Sequence, residues 1–581
     1  MDKKTVAAVL EEIALLSELA GENPFKVRAY ESGARAILTF PGDLDEAVRR
    51  GELAHIKGIG KSIAAVIAEL VQKNESRTLQ ELKKKVPPGL LELLQVPGLG
   101  PKKAKILHDQ LQIASLGELE YAIQENRLFN LPGFGAKTQE KLKRGVERVK
   151  RYAGFFRLGE LLPAAVKLAE QVRRQPGVLR AEVAGGVRRG LEVDDGIVLV
   201  AALADPQGMS SAFASLFPEV RFEQPEPGRL KTILPQGVKF TLALAAPEQF
   251  GAAWLFNTGS AGHIKGLAER ATVAGLQLSP QGLFSQGRLH PGKEEKDVYQ
   301  GLGLPFIPPE LREGLGELEA AAQGRLPRLL EPEDVQGCFH VHSHYSDGVN
   351  SLAELVNASQ ERGWRFLGLS DHSQSAYYAG GLKPPDLERQ KAELEALRHE
   401  YSKFTIFWGI EADILGDGSL DYDGEVLRGF DFVIASVHSQ FRLPREEMTQ
   451  RILRAMADPY CTMVGHVSGR LLLAREPYEI DLEAILEFAG KNQVIMELNA
   501  SPYRLDLDWR WLRRAKELGI LISLNPDAHG LEDLGDMAYG VMAARKGWLE
   551  KDDVLNTYPP EEVSHFLKRR RQGYNYSSKE R

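Results

Sequence analysis

The C-terminal part of the chain alternates between short, almost wholly apolar runs and longer segments of mixed polarity. The runs read FLGLS, FTIFWGI, FDFVIAS, TMVG, VIMELNA and ILISLNP. Continuous apolar runs of this length are typical of strands that are buried on both faces, and their alternation with helical segments predicts a parallel sheet. We expect a (β/α) barrel, in which functional side chains lie at the C-terminal ends of the strands.

Histidines and carboxylates follow these runs. Residues i and i+2 of a strand point to one face, so His340 and His342 can bind one ion, and Asp527 and His529 repeat the spacing. Imidazole with carboxylate suits Mn, Zn or Fe better than Ca or Mg. Bridging carboxylates allow two or three ions that activate water and clamp a phosphodiester. The remaining candidates are Asp347, Asp371, His372, Glu411, His438 and His466.

The motifs HVH, SDG, SDHS, GIEADIL, ASVH, GHVSGR and NPDAH occur in the order of the metal motifs of PHP (polymerase and histidinol phosphatase) domains, which this stretch resembles. LNASPYRLDL and YGVMAARKGWLEKDDVLNT narrow the resemblance to bacterial family X DNA polymerases. Cys338 stands where that family often has Asp, at a position that is usually not a ligand. The resemblance implies two or three Mn²⁺ or Zn²⁺ ions, held by His340, His342, Asp347, His372, Glu411, His438, His466, Asp527 and His529.

Three N-terminal segments, AHIKGIGKSIAAVI, LQVPGLGPKKAKIL and FNLPGFGAKTQEKL, share Gly-x-Gly followed by a helix start with lysine. The glycines permit positive φ, and the helix N-terminus offers free N–H groups to a phosphate. The pattern resembles the helix-hairpin-helix motif, which grips the DNA backbone. The candidate DNA-binding residues are Gly58, Gly60, Lys61, Gly98, Gly100, Lys102, Lys103, Gly133, Gly135 and Lys137.

NPFKVRAYESGARAI resembles the lyase-type domain of family X. The resemblance makes Lys26, Arg28, Tyr30 and Arg35 candidate contacts for a 5′-phosphate. The family's Schiff-base lysine aligns with Val66, so the resemblance carries 5′-phosphate binding over to this chain but does not carry over lyase chemistry.

AGGVRRGLEVDDGIVLVAA resembles the nucleotide-binding turn and first catalytic strand of the family X palm. The family's Asp-x-Asp falls on Gly196 and Val198, or with a one-residue gap on Asp195 and Ile197. Thr241 takes the third position, so Asp195 is the one candidate catalytic carboxylate, with Asp194 or Glu192 left open as substitutes, and an Mg²⁺ site here is expected to be incomplete. The implied nucleotide-binding residues are Gly185, Gly186, Arg188, Arg189 and, in the thumb, Gly259.

Composition is that of a multidomain globular chain: 581 residues, of which 43% are hydrophobic and 26% charged. Apolar runs are too short to span a membrane, and two cysteines fit a reducing cytoplasm. The net charge of −7 is the wrong sign for a bulk nucleic-acid binder, so DNA contacts are expected from local basic patches.

We expect three kinds of fold along the chain: α-helical helix-hairpin-helix elements, an α+β polymerase-β-like palm and thumb, and a distorted (β/α) barrel of the PHP type. The predicted domains are 1–80 lyase-type, 81–155 fingers, 156–245 palm, 246–315 thumb, 316–333 linker and 334–575 PHP.

The resemblance implies a monomeric DNA repair protein that binds gapped, nicked or 3′-end DNA, with deoxynucleotides as further ligands. The barrel is expected to act as a Mn²⁺-dependent 3′→5′ exonuclease, with abasic-site or 3′-phosphate cleavage as related outcomes, while templated polymerisation is weak or absent. Arg470 and Arg504 are expected to orient phosphate oxygens, and Tyr503 to stack on a base. The alternatives are a gap-filling polymerase of base excision repair, a non-catalytic DNA-end scaffold, and a phosphatase acting on a small metabolite.

Overall fold

The computed structural model describes residues 2–577, apart from residues 41, 43, 125–127, 129–130, 205–222, 227, 235–236 and 291. The chain divides into two compact units, Met1–Ala153 and Gly154–Arg581. Within the described residues, none of the helices is both long enough and apolar enough to cross a lipid bilayer.

The first unit is helical. Its first helix begins where the Asp2 carboxylate accepts a hydrogen bond from the Thr5 backbone N–H at 2.7 Å. Apolar side chains at helical spacing, including Leu10, Ile37 and Ile67, are fully buried in a common core. The helices are Lys3–Leu19, Pro24–Leu38, Leu44–Arg50, Lys61–Lys73, Arg77–Lys85, Pro88–Leu93, Pro101–Leu111, Leu116–Gln124 and Ala136–Tyr152.

The palm region of the second unit contains a five-stranded sheet and a short antiparallel ribbon. Helices Leu158–Arg173 and Gly185–Arg188 accompany them. The strands are β1 (Phe156–Arg157), β2 (Val178–Ala184), β3 (Val193–Asp194), β4 (Gly196–Leu203), β5 (Glu223–Glu226), β6 (Arg229–Ile233) and β7 (Lys239–Ala245). The sheet order is β2-β4-β7-β6-β5, in which only β4 and β7 run parallel, and β1 pairs with β3 in the ribbon.

The thumb region consists of helices around a small antiparallel sheet. Its strands are β8 (Gln277–Ser279), β9 (Gly282–Ser285) and β10 (Arg288–His290), in the order β10-β9-β8. Its helices are Phe250–Thr258, Ala261–Val273 and Glu295–Gly301, and helix Glu317–Ala322 follows in the predicted linker.

The predicted barrel is confirmed as seven parallel strands in sequence order. They are β11 (Gly337–Cys338), β12 (Phe366–Leu369), β13 (Thr405–Asp413), β14 (Phe432–Ser436), β15 (Met463–Val464), β16 (Ile495–Asn499) and β17 (Ile522–Asn525). Helices Leu352–Glu361, Pro384–Glu400, Gly424–Leu427, Arg445–Ala457, Leu482–Asn492, Trp509–Glu517, Met537–Lys546 and Pro560–Ser577 belong to this region.

The ends of the barrel sheet meet beyond β11 and β17. The Ala528 N–H donates to the His340 carbonyl at 3.1 Å, and the His342 N–H donates to the Ala528 carbonyl at 2.8 Å. The barrel is therefore nearly closed where the predicted ligands leave its strands, as expected for a (β/α) architecture.

Candidate metal centre

All nine predicted ligands come together at the C-terminal ends of the barrel strands. The ligand atoms form overlapping groups whose members lie within 4.8 Å of one another. The groups are His342–Asp347–His372–His529, His340–His466–Asp527, His340–His342–Glu411 and His372–Glu411–His438. Because Glu411 belongs to two groups and several histidines are also shared, neighbouring ions would have ligands in common, as in a multinuclear site.

Glu411 occupies the middle of this centre and is almost completely buried. Its Oε1 atom lies 3.1 Å from His466 Nε2 and 3.3 Å from His438 Nε2, and its Oε2 atom lies 3.0 Å from His372 Nδ1. Asp527 Oδ1 provides a second bridge, 3.3 Å from His342 Nε2. Carboxylates with histidines on several sides are suited to bridging two cations.

The donor set fits a metal. The buried atoms His340 Nε2, His342 Nε2 and Glu411 Oε2 have no hydrogen-bond partner. A buried polar atom without a partner costs about 1–3 kcal/mol, and a coordinated cation removes that cost. Imidazole and carboxylate ligands match Mn²⁺ or Zn²⁺ better than Mg²⁺.

Electrostatics of the centre are dominated by these carboxylates. Burial opposes protonation of His372, but Glu411 and Asp347 outweigh it and raise its pKa to about 10. Burial likewise opposes the charge on Glu411, yet His340 and His438 hold its pKa well below the usual range. At His342, burial and the neighbouring His372 lower the pKa to about 4. The centre is therefore a concentration of negative charge that favours cations.

Comparisons with known proteins agree with this geometry. Family models for a helix-hairpin-helix domain, a SAM-like helix-hairpin-helix tandem, the DNA polymerase beta thumb and the PHP domain match residues 1–76, 90–148, 253–313 and 339–501 respectively. The chain is 34% identical over 584 residues to DNA polymerase/3′-5′ exonuclease PolX of Bacillus subtilis strain 168, an alignment covering 98% of this chain and 100% of that protein. This chain belongs to the family X DNA polymerases.

The barrel of this family X polymerase is also similar to smaller proteins. A probable phosphatase of Thermoanaerobacter sp. strain X514 is 25% identical over 235 residues, covering 38% of this chain and 89% of that protein. A probable phosphatase of Shewanella halifaxensis is 26% identical over 244 residues, covering 40% and 92% respectively. The helix-hairpin-helix and thumb regions make DNA the partner of the family X chain.

Two carboxylates behind the ligands were not predicted from the sequence. Glu497 is fully buried in β16 and lies 2.6 Å from His340 Nδ1, while Asp413 lies 2.7 Å from His438 Nδ1. Such partners fix the tautomer and orientation of a ligating imidazole. The sequence did contain a signal for both residues. Glu497 is an acidic residue inside the apolar run VIMELNA, and Asp413 is the second acidic residue of GIEADIL.

Asp371 lies outside the ligand groups. Its carboxylate accepts hydrogen bonds from the Ser343 hydroxyl at 2.7 Å and the Gln390 amide at 2.6 Å. It therefore supports the loop after β11.

The prediction that Arg470 orients phosphate is wrong. Arg470 is 9% exposed, and its donors bind Asp508 at 2.5 Å, the Arg504 carbonyl at 2.9 Å and the Leu505 carbonyl. Its guanidinium is therefore committed to the loop that precedes helix Trp509–Glu517. Arg504 Nε, in contrast, lies 3.3 Å from the ligand Asp527, and Tyr503 is 54% exposed. Phosphate orientation by Arg504 and base stacking by Tyr503 stay predictions.

The palm region holds no cluster comparable to the barrel centre among its described residues. Val198 pairs directly with Thr241 across β4 and β7. Asp195 Oδ2 lies 2.6 Å from Lys239 Nζ. The one candidate catalytic carboxylate therefore lies in an exposed ion pair with a lysine.

Asp195 lies between β3 and β4, and neither of the two proposed substitutes is a residue of β4. Asp194 is in β3, against the turn at Gly186, where an added Cβ would come within 1.9 Å of Asp194 Oδ2. Glu192 is 6% exposed, and both of its oxygens bind barrel residues. The idea that Glu192 replaces a palm metal ligand is wrong, because its carboxylate is committed elsewhere.

The predicted nucleotide-binding arginines make internal contacts. Arg188 donates to Glu295 at 2.7 and 2.8 Å and lies 3.5 Å above the Trp254 ring, while Arg189 donates to Glu313 at 2.8 Å. Gly185 has φ +68° and precedes Gly186 in the helix they open. Gly259 follows helix Phe250–Thr258. Nucleotide binding by this set stays a prediction.

Each of the three hairpins has the expected backbone. Gly58, Gly98 and Gly133 have φ values of +96°, +90° and +84°. Gly60, Gly100 and Gly135 are the N-cap residues of the helices that follow. Lys61, Lys102 and Lys137 are exposed near those helix starts, and Lys103 is partly buried. These turns present N–H groups and lysines in one place, as phosphate binding requires.

In the lyase-type region, some of the predicted phosphate contacts are exposed and one is buried. Arg28 and Arg35 are exposed, and Lys26 pairs with Glu22 at 2.6 Å. Tyr30 is only 3% exposed, so its predicted phosphate contact is wrong. Val66 is buried in the core at the position of the family's Schiff-base lysine.

Proposed function

We propose that the barrel hydrolyses DNA from its 3′ ends as a Mn²⁺-dependent 3′→5′ exonuclease, with abasic-site cleavage and 3′-phosphate removal as related reactions. The observation that carries this proposal is the assembly of all nine ligands into overlapping groups around Glu411. The name of the Bacillus subtilis relative, DNA polymerase/3′-5′ exonuclease, supports it.

When bound, the ions would supply Lewis-acid charge beside the scissile phosphate and lower the pKa of the attacking water. The chain's own contribution is to hold and orient. Glu497 and Asp413 fix the rings of His340 and His438. Arg504 has a buried Nη1 with no hydrogen-bond partner, next to Asp527, which suits donation to a phosphate oxygen.

We assign DNA binding to the first unit, Met1–Ala153. The three hairpins bind backbone phosphates of gapped or nicked DNA without reading sequence, and the protein acts as a monomer. The proposed setting is the cytoplasm, since Cys338 and Cys461 are both free, buried thiols.

Templated extension is weak or absent in this proposal. Phosphoryl transfer by a polymerase depends on carboxylates that position two ions. In the described palm, Asp195 is paired with Lys239, and the other two positions hold Val198 or Ile197 and Thr241, none of which is a carboxylate. The relatives named probable phosphatases match only the barrel, and a small-metabolite phosphatase would not need three DNA-binding hairpins.

The proposal is tested by removing two ligands together. His342→Ala with Asp527→Ala should abolish shortening of a labelled primer in Mn²⁺ and leave DNA binding unchanged. The matched control is His399→Ala with Asp417→Ala, two exposed residues outside the ligand groups. This control variant should shorten the primer at the normal rate. Retained shortening in the purified ligand variant would assign the nuclease elsewhere.

A further inference from the structure

The palm ribbon lies against one loop of the barrel, residues 501–508, here called the rim loop. Arg157 of β1 lies 3.9 Å above the ring of Tyr503. A Cβ on Gly159 would come within 2.6 Å of the Pro502 side chain, so the chain at Gly159 lies directly against the proline ring. The loop that carries Arg504 is therefore bounded on one side by the palm.

Glu192 makes the strongest of these palm contacts. Its carboxylate accepts hydrogen bonds from Trp509 Nε1 at 3.0 Å and from Arg510 Nη1 at 2.6 Å. Both donors lie just beyond the rim loop, at the start of helix Trp509–Glu517. A buried carboxylate is retained only where it is paired, so this contact is specific rather than incidental.

The contact continues through charged groups into the rim loop. Arg510 Nη1 also lies 2.8 Å from Asp508 Oδ2, the same oxygen that lies 2.5 Å from Arg470 Nη1. Arg470 in turn donates to the carbonyls of Arg504 and Leu505. Leu505 has φ +44°, a conformation that leucine seldom adopts, so the loop needs such support.

These successive contacts end at the metal centre. Arg504 Nε lies 3.3 Å from Asp527 Oδ2, and Asp527 Oδ1 lies 3.3 Å from His342 Nε2. We propose that Glu192, although it belongs to the palm, is a positioning residue of the barrel nuclease that sets the place of Arg504 through Arg510, Asp508 and Arg470. The proposal rests on the proposed nuclease function and names the role that the palm keeps in it.

The physical reason is competition for one oxygen. With Glu192 present, the charge of Arg510 is shared between two carboxylates. Without it, Arg510 turns fully to Asp508 and competes with Arg470, which then holds the Arg504 and Leu505 carbonyls less firmly. Arg504 contacts the substrate in the proposed reaction, so looser placement should lower kcat more than it raises KM.

The test is a double-mutant cycle in the full chain with Mn²⁺ and a labelled 3′ end: wild type, Glu192→Gln, Arg504→Ala and the double variant. Glu192→Gln should lower kcat about fivefold with KM within about twofold, and should cost nothing further once Arg504 is absent. The control is Glu182→Gln, a palm carboxylate paired with Arg173 and Arg180, with kcat unchanged. If Glu192→Gln misfolds, Glu192→Asp, which withdraws the carboxylate from Arg510, should lower kcat in the same way. Arg510→Gln removes the competing guanidinium and should leave kcat unchanged.

The inference is overturned if Glu192→Gln is fully active, or if its loss is the same with and without Arg504. Binding of inorganic phosphate to the Mn²⁺-loaded protein, measured by calorimetry, separates the inference from the proposed function. A wild type that leaves DNA intact would contradict the nuclease. If Glu192→Gln weakens phosphate binding when Arg504 is present but has no effect in the Arg504→Ala background, the connection between Glu192 and Arg504 is still supported. Unchanged phosphate binding by Glu192→Gln would overturn it.

Discussion

Replacement of Glu497 by Gln should weaken metal binding without unfolding the barrel. The Glu497 carboxylate is fully buried behind the ligands. Oε1 accepts from His340 Nδ1 at 2.6 Å and Asn525 Nδ2 at 3.0 Å, and Oε2 accepts from the His466 N–H at 2.6 Å and Asn499 Nδ2 at 3.3 Å. Glutamine keeps the shape but turns one acceptor into a donor.

The magnitude follows from these four bonds. In either orientation, the amide NH₂ of glutamine faces two donors, one of which belongs to a ligand residue at 2.6 Å. A hydrogen bond to a charged group contributes about 1.5–3 kcal/mol. With about 1.4 kcal/mol for each tenfold change in affinity, we expect Mn²⁺ affinity to fall about 10–100-fold.

The assay is calorimetric titration of the metal-free protein with Mn²⁺, beside circular dichroism to confirm folding. Glu317→Gln is a closely matched control, because Glu317 is fully buried and lies 2.6 Å from His263 Nδ1 in the thumb, away from the ligands. It should lower stability and leave the Mn²⁺ affinity unchanged. Equal Mn²⁺ affinity in folded Glu497→Gln and wild type would refute the role of Glu497.

Three further predictions concern the metal, the DNA and the palm. Removing metal with EDTA should lower the thermal unfolding midpoint of the full chain by several degrees, because a ligand present at 100 times its Kd adds about 2.7 kcal/mol to the free energy of unfolding. A midpoint that does not change when Mn²⁺ is added back would show that the centre does not bind Mn²⁺. Lys102→Ala with Lys103→Ala should weaken binding to DNA of any sequence and flatten the salt dependence by roughly one unit per lost phosphate contact, as fluorescence anisotropy at several salt concentrations measures; an unchanged slope would place the DNA elsewhere. The His342→Ala and Asp527→Ala variant, which cannot erase its product, should still not extend a primer with Mg²⁺ and deoxynucleotides; robust extension that disappears on Asp195→Ala would show a working palm site.

The sequence was most informative where chemistry and strand pattern coincide. The ligands follow apolar runs in the chain, and parallel strands bring their C-terminal ends to one edge, so the motif order alone predicts that residues as distant as His342 and His529 meet. The hairpin glycines are predictable for a similar reason, because positive φ before a helix start strongly favours glycine.

The partners of long side chains were not predictable. Arg470 has the charge of a phosphate ligand, but whether its donors face a cleft or their own loop depends on backbone geometry around Leu505. Glu192 lies two residues before Asp194 in sequence, yet its partners are more than 300 residues away, at Trp509 and Arg510. Such contacts depend on how the palm packs on the barrel, which no local pattern encodes.

One gel with labelled gapped DNA and Mn²⁺, run with and without deoxynucleotides, decides whether the barrel centre is the nuclease. We expect the wild-type protein to shorten the primer in both lanes, and the His342→Ala and Asp527→Ala variant neither to shorten nor to lengthen it. Shortening by that variant in the absence of deoxynucleotides would contradict the assignment of the nuclease to the barrel centre, and growth of the primer in their presence would contradict the loss of polymerase activity in the palm.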